Sequence, residues 1–172
     1  MPPLSDSGRV WIVAGLLLGS LSLAGQGPAT TVEFAPRVAG ELQRYGEEEG
    51  TVLRTAILDA VSRESGRVAT PSGLAITVVV QDVAPTHPTR RQSSDDPATD
   101  VAKTRFIGGA ELTGTVRDAG GRVLATVHHR HFPPTLELGS ASLDPWADAR
   151  LAIEQFAARL ADACSHLPRG GN

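Results

Sequence analysis

Cysteine is almost missing from this 172-residue chain, and the single one, Cys164, excludes an intramolecular disulfide framework. Aromatic residues make up only 4% of the composition, so any core must be built from Leu, Ile, Val and Ala rather than from large rings. Lysine occurs once, at Lys103, and the formal net charge is −3. An acidic balance with no basic stripe gives no electrostatic reason to bind nucleic acid or an anionic membrane surface. Several chemical signatures are also missing. No serine sits in a G-x-S-x-G elbow, and the glycine pairs Gly108-Gly109 and Gly120-Gly121 fit neither a phosphate-binding loop nor a dinucleotide fingerprint. What remains is an ordinary globular composition, 41% hydrophobic and 20% charged, long enough for one domain and a targeting segment.

The targeting segment is at the N-terminus. Val10 to Gly25 is an uncharged run preceded by Arg9, about the length of a signal-peptide core and shorter than the roughly 20 apolar residues of a spanning helix. Ser22-Leu23-Ala24 supplies small residues before a cut, which predicts a signal peptide over 1–24 and a short linker over 25–30. The alternative is an uncleaved anchor, since no charge follows until Glu33, and only then would the protein be tied to a membrane. With no cysteine near this junction, a lipid anchor on the first mature residue is not expected.

A single domain is expected over 31–166, followed by a flexible tail over 167–172. Thr31 to Val38 alternates like an edge strand that Pro36 interrupts. Leu53, Ala56, Ile57, Ala60 and Val61 recur at helical spacing behind Glu47-Glu48-Glu49. That triplet reads as negative charge complementing a helix N-terminus, in preference to a metal cluster. Leu74, Ile76, Val78 and Val80 alternate as in a half-buried strand. The next segment, 84–101, holds Pro85, Pro88 and Pro97 without periodicity and reads as a long mobile loop whose shortening should be tolerated. Gly108-Gly109 suggests a bulge, Ala110 to Arg117 and Arg122 to Val127 form a hairpin about Asp118-Ala119-Gly120-Gly121, and Asp144-Pro145 opens a helix as N-cap and first-turn proline. In that helix Trp146, Ala149, Ile153, Phe156, Leu160 and Cys164 line one face, so Cys164 reads as a small buried hydrophobe, the alternative being an intermolecular disulfide. The sum is an α+β domain: a mainly antiparallel sheet of about four strands with two helices packed on one face.

The run Phe106-Ile107-Gly108-Gly109-Ala110-Glu111-Leu112-Thr113-Gly114, continuing through Arg117-Asp118-Ala119-Gly120-Gly121-Arg122-Val123-Leu124-Ala125 and followed by Trp146-Ala147-Asp148-Ala149, resembles an uncharacterised family of small bacterial periplasmic lipoproteins. The resemblance spans Leu53 to Ala163 and implies a periplasmic or secreted location. It carries no catalytic residue, and the family's lipid-bearing cysteine has no counterpart here.

One cluster invites a specific chemistry. In His128-His129-Arg130-His131, residues two apart on a strand share a face, so His129 and His131 are the candidate metal ligands. A third would have to come from elsewhere, for example His87, Asp95 or Asp96 on the long loop, and no spacing rule selects any of them. Cys164 and His166 lie two apart on a helix and face different sides, so no reactive pair forms there. The expectation is therefore an exported envelope protein without cofactor or enzymatic activity, acting as a binding or accessory module on an envelope protein partner. A small-ligand or metal carrier using the His128 to His131 region is the alternative, and a hydrolase assembled from scattered residues is the third.

Overall fold

A computed structural model describes residues 28–68, 70–98, 100–135 and 143–167, so the expected signal peptide, half of the linker and nearly all of the tail lie outside the described residues. Four strands form one sheet in the order β1-β2-β3-β4: Ala29–Phe34, Ala75–Ala84, Gly109–Arg117 and Val123–His131. After β1 the chain runs through helices α1 (Pro36–Tyr45) and α2 (Glu49–Ser65) before returning. A helical crossover of that kind sets two strands parallel, and β1 pairs parallel with β2. The β2-β3 and β3-β4 pairs are antiparallel, so the sheet is mixed but mainly antiparallel.

The expected α+β class holds, with four helices among the described residues where two were expected. The two long ones, α2 and α4 (Ala147–Ser165), are the anticipated pair. Their Leu53, Ile57, Ala60, Val61, Ile153, Phe156 and Leu160 join Val32, Ile76, Val78, Val80, Leu112 and Val116 of the sheet in one buried cluster. Of the additional helices, α1 begins at Pro36 itself. A proline in the first turn loses no intrahelical bond, so Pro36 starts a helix and does not interrupt a strand. Val38 and Leu42, one turn apart, are the residues α1 buries.

The segment expected as a mobile loop is a second correction. Thr86, His87 and Thr89 are buried within it, and α3 (Arg90–Asp95) follows with a complete capping box, Thr89 accepting from the Gln92 backbone while Gln92 accepts from the Thr89 backbone. Thr86 acts as a latch. Its N–H donates to the Pro145 carbonyl (2.6 Å), its carbonyl accepts from Phe106 (2.8 Å), and its hydroxyl accepts from the Asp148 N–H (3.2 Å). A Cβ at Gly108 would lie 2.3 Å from the Thr86 hydroxyl oxygen, so that glycine serves close approach and not a bulge. The bulge lies on β2, between Val80 and Asp82.

Two smaller shifts concern element starts. β1 begins at Ala29, inside the segment read as linker. α4 begins at Ala147, two residues beyond the expected start, because Asp144 uses its carboxylate to accept from Trp146 N–H (2.9 Å) and Arg150 (2.7 Å), making a turn ahead of the helix. Trp146 is then fully buried, donates its indole N–H to Glu49 at 2.5 Å, and meets Tyr45 edge-on at 5.8 Å. Glu49 of the acidic triplet thus holds the start of α4, while Glu47 and Glu48 face solvent.

Candidate functional site

The pairing register divides the sheet into two faces. Val32, Val78, Gly114 and Val127 lie in one row across the four strands and point toward the helices. The adjacent row, Thr31, Thr77, Thr115 and Thr126, points the other way, with Glu33, Val79, Thr113 and His128 beside it. None of these eight outer residues is fully buried, so no helix among the described residues covers this face. Thr31 reaches the Thr77 hydroxyl at 3.4 Å, and Glu111 accepts from His128 at 2.9 Å and Arg130 at 3.2 Å. The open side is therefore a polar surface of short hydroxyls flanked by charges of both signs. Each strand shows its threonine in the sequence, but that four of them align in one row depends on register.

The two edges of the sheet differ. On β1, Arg54 of α2 donates to the Val32 carbonyl and lies over the Phe34 ring, 5.1 Å from its centroid, so the parallel edge is guarded. On β4, among the described residues, no group outside the β3 ladder bonds to the backbone.

The histidines separate. His128 is on the open face with Glu111. His129 points inward and is buried, its Nε2–H donating to the Gln155 amide oxygen at 3.0 Å. Burial holds His129 below the ordinary imidazole range, the Gln155 bond opposing this in part and the nearby Arg159 charge adding to it. His131 shares the inward side by alternation and is half-buried, while His129 has its Nε2 committed to Gln155. The candidate third ligands are elsewhere engaged. His87 donates from Nδ1 to the carbonyls of Val101 (3.2 Å) and Thr104 (2.9 Å), Asp95 pairs with Arg91 at 3.7 Å, and Asp96 accepts from the Ala98 N–H at 3.2 Å. Among the described residues no three His, Cys, Asp or Glu side chains converge. The fully buried Cys164 has its thiol pushed up by desolvation, which suits a core residue, and an intermolecular disulfide would first require the core to open.

Concave surface exists but gathers little chemistry. A cleft of about 800 Å³ between the C-terminal half of α2 and the start of β1 is lined by Thr30, Leu58, Ser62, Ser65 and Thr70, with Asp59 its one titratable side chain among the described residues. A groove of about 610 Å³ along α2 is lined by Glu47, Glu48, Thr55, Asp59 and Arg150. Among the described residues no helix is long and apolar enough to cross a membrane.

No family model and no curated protein matches this chain. A solved structure, a minor lipoprotein from Acinetobacter baumannii, aligns with 83% of this chain and 97% of its own at 13% identity and a TM-score of 0.31. Similarity of that degree carries no function from one chain to the other.

Proposed function

We propose that the chain is an exported, non-catalytic accessory module of the bacterial envelope that binds a protein partner on the open side of its sheet. The observation behind this reading is that, among the described residues, no helix covers the outer face and nothing outside the β3 ladder bonds to the β4 backbone. Surfaces of this kind accommodate another polypeptide, whereas a small-molecule site concentrates a few convergent polar groups in an enclosed pocket. The signal-peptide layout of Val10 to Gly25 supports an exported location for that surface. A metal carrier has less support, because His129 donates to Gln155 and the remaining candidates are dispersed.

The test uses living cells. Photo-crosslinking side chains at Thr115 and Thr126, on the open face, should each yield the same discrete adduct in the exported protein, whose intact mass should begin at Gly25. One at Ser62, on an exposed part of α2, should yield none. Retention of the protein in the cytoplasm, or adducts no more frequent from the open face than from Ser62, would refute the reading.

A further inference from the structure

We infer that the cleft beside the C-terminal end of α2 is a binding site for a small sugar, uncharged or carrying an amino group, held through hydroxyl groups and one carboxylate. It lies on the helix side of the sheet, away from the open face, and goes beyond the accessory-module reading.

Three segments wall the cleft. Leu58, Ser62 and Ser65 recur at helical spacing on one side of α2. Thr30 precedes the outward-facing Thr31 on β1, so alternation turns its side chain inward toward the helix. The turn over 70–72 closes the third side. Hydrogen bonds hold these walls in place. The Thr70 hydroxyl donates to the Ser65 carbonyl (3.3 Å), the Thr30 hydroxyl donates to the Pro28 carbonyl (3.2 Å), and the Ala29 N–H donates to the Leu74 carbonyl (3.1 Å). A ligand would therefore meet a shape already formed, which lowers the ordering cost of binding.

Ser65 supplies the polar group deepest in this wall. The residue is only 8% exposed, yet among the described residues its hydroxyl has no hydrogen-bond partner, since Thr70 engages its backbone carbonyl alone. A nearly buried hydroxyl without a protein partner is costly unless something in the cleft bonds to it. Ser62 and Ser72, both exposed at the rim, likewise have hydroxyls with no partner among the described residues.

The donors and acceptors of this lining select the chemistry of the occupant. Thr30 and Thr70 spend their hydroxyl protons on carbonyls and keep lone pairs free, and Asp59 only accepts. The three serines can do either. The cleft thus offers more acceptors than donors and matches a ligand rich in O–H or N–H groups. Charge narrows the class further. Among the described residues no Arg, Lys or His lines the cleft, Asp59 is its one charge, and the C-terminal end of α2 carries the negative pole of the helix. A carboxylate or phosphate ligand would find no cation, whereas an amino group would meet Asp59. The same residues include no aromatic ring, so a stacked base or a quaternary ammonium has no platform. Leu58 and Pro71, half-buried between the polar groups, give the C–H face of a sugar ring an apolar surface. A volume of about 800 Å³ lies within the range of small-ligand sites.

The experiment titrates the isotopically labelled protein with three probes that share a pyranose ring: methyl glucoside, glucosamine and glucuronate. Methyl glucoside should shift the amide resonances of Thr30, Ser62, Ser65 and Ser72 with a Kd of about 1–10 mM, weak because no ring stacks on it. Glucosamine should bind about two- to fivefold more tightly, an advantage lost in Asp59→Asn, and glucuronate about fivefold more weakly or not at all. Ser65→Ala should weaken methyl glucoside by about fivefold while leaving the free protein no less stable in urea, because the hydroxyl has no protein partner to lose. No saturable shift at about 100 mM methyl glucoside, glucuronate binding as tightly as glucosamine, or an affinity unmoved by Ser65→Ala would overturn the inference. So would a Ser65→Ala protein that loses stability, since the hydroxyl would then serve the fold. Any of these results leaves the accessory reading to be decided by the protein adducts from Thr115 and Thr126.

Discussion

Replacing Gly114 by alanine places a methyl group where α4 lies against β3. A Cβ there would be 2.8 Å from the Phe156 Cζ, 3.2 Å from Leu160 Cδ1 and 3.3 Å from Phe156 Cε2. Phe156 is fully buried and Leu160 nearly so, which leaves neither an easy rotamer change. Overpacking of this kind costs about 1–3 kcal/mol, while removing a glycine from a strand returns about 0.5–1 kcal/mol, so a net loss of about 0.5–2 kcal/mol is expected. The same contact yields a sharper test. Phe156→Leu removes the ring atoms that clash and on its own should cost roughly 1–2 kcal/mol through lost packing. In the double variant the new methyl occupies part of that space, so the combined loss should fall short of the sum by about 1 kcal/mol. Urea denaturation of the four proteins measures the cycle, and each kcal/mol should move the melting temperature by about 3 °C in a domain of this size. Strict additivity, or a Gly114→Ala protein more stable than the parent, would refute the claim that this glycine exists to let helix and strand approach.

Thr86→Val keeps the side-chain shape but removes the acceptor for the Asp148 N–H, and should lower stability by about 1–2 kcal/mol in the same denaturation assay. Replacing residues 84–101 by a short Gly/Ser linker should lower the melting temperature far more than loop-closure entropy, which changes by less than about 1 kcal/mol, can explain. An unchanged melt would mean that the buried Thr86, His87 and Thr89 contribute nothing. For His129, burial places the folded imidazole below the unfolded one, so the unfolded chain takes up its proton first as pH falls. Its contribution is complete above the unfolded value of about 6.5 and is lost as pH drops through the folded value. The stability difference between about pH 7.5 and pH 5 should therefore shrink in His129→Gln, and an identical difference in the two proteins would contradict the assignment.

The strands and long helices were legible because each has a local period. Leu74, Ile76, Val78 and Val80 alternate, and all of them are buried. Ile153, Phe156, Leu160 and Cys164 recur every three or four residues, and all of them face the core. Other local signals were present and read differently. Pro36 marks a helix start as readily as a broken strand, and Thr89 with Gln92 three positions on is a capping pair hidden among prolines. Thr86 showed no periodicity at all, since its partners are Pro145, Phe106 and Asp148.

What the sequence determined by itself was the inventory: which segments alternate, which turn, which side chains share a side of one strand or helix. His129 and His131 on a common side of β4 follow from alternation alone. Only the tertiary structure decided that His129 would turn to Gln155, 26 residues later, that four threonines would align in one row of the open face, and that Arg54 would reach across β1. The physical reason is that periodicity is a property of neighbours along the chain, whereas the partner of a side chain, and the exposure of an edge, depend on which distant segments the hydrophobic core draws together.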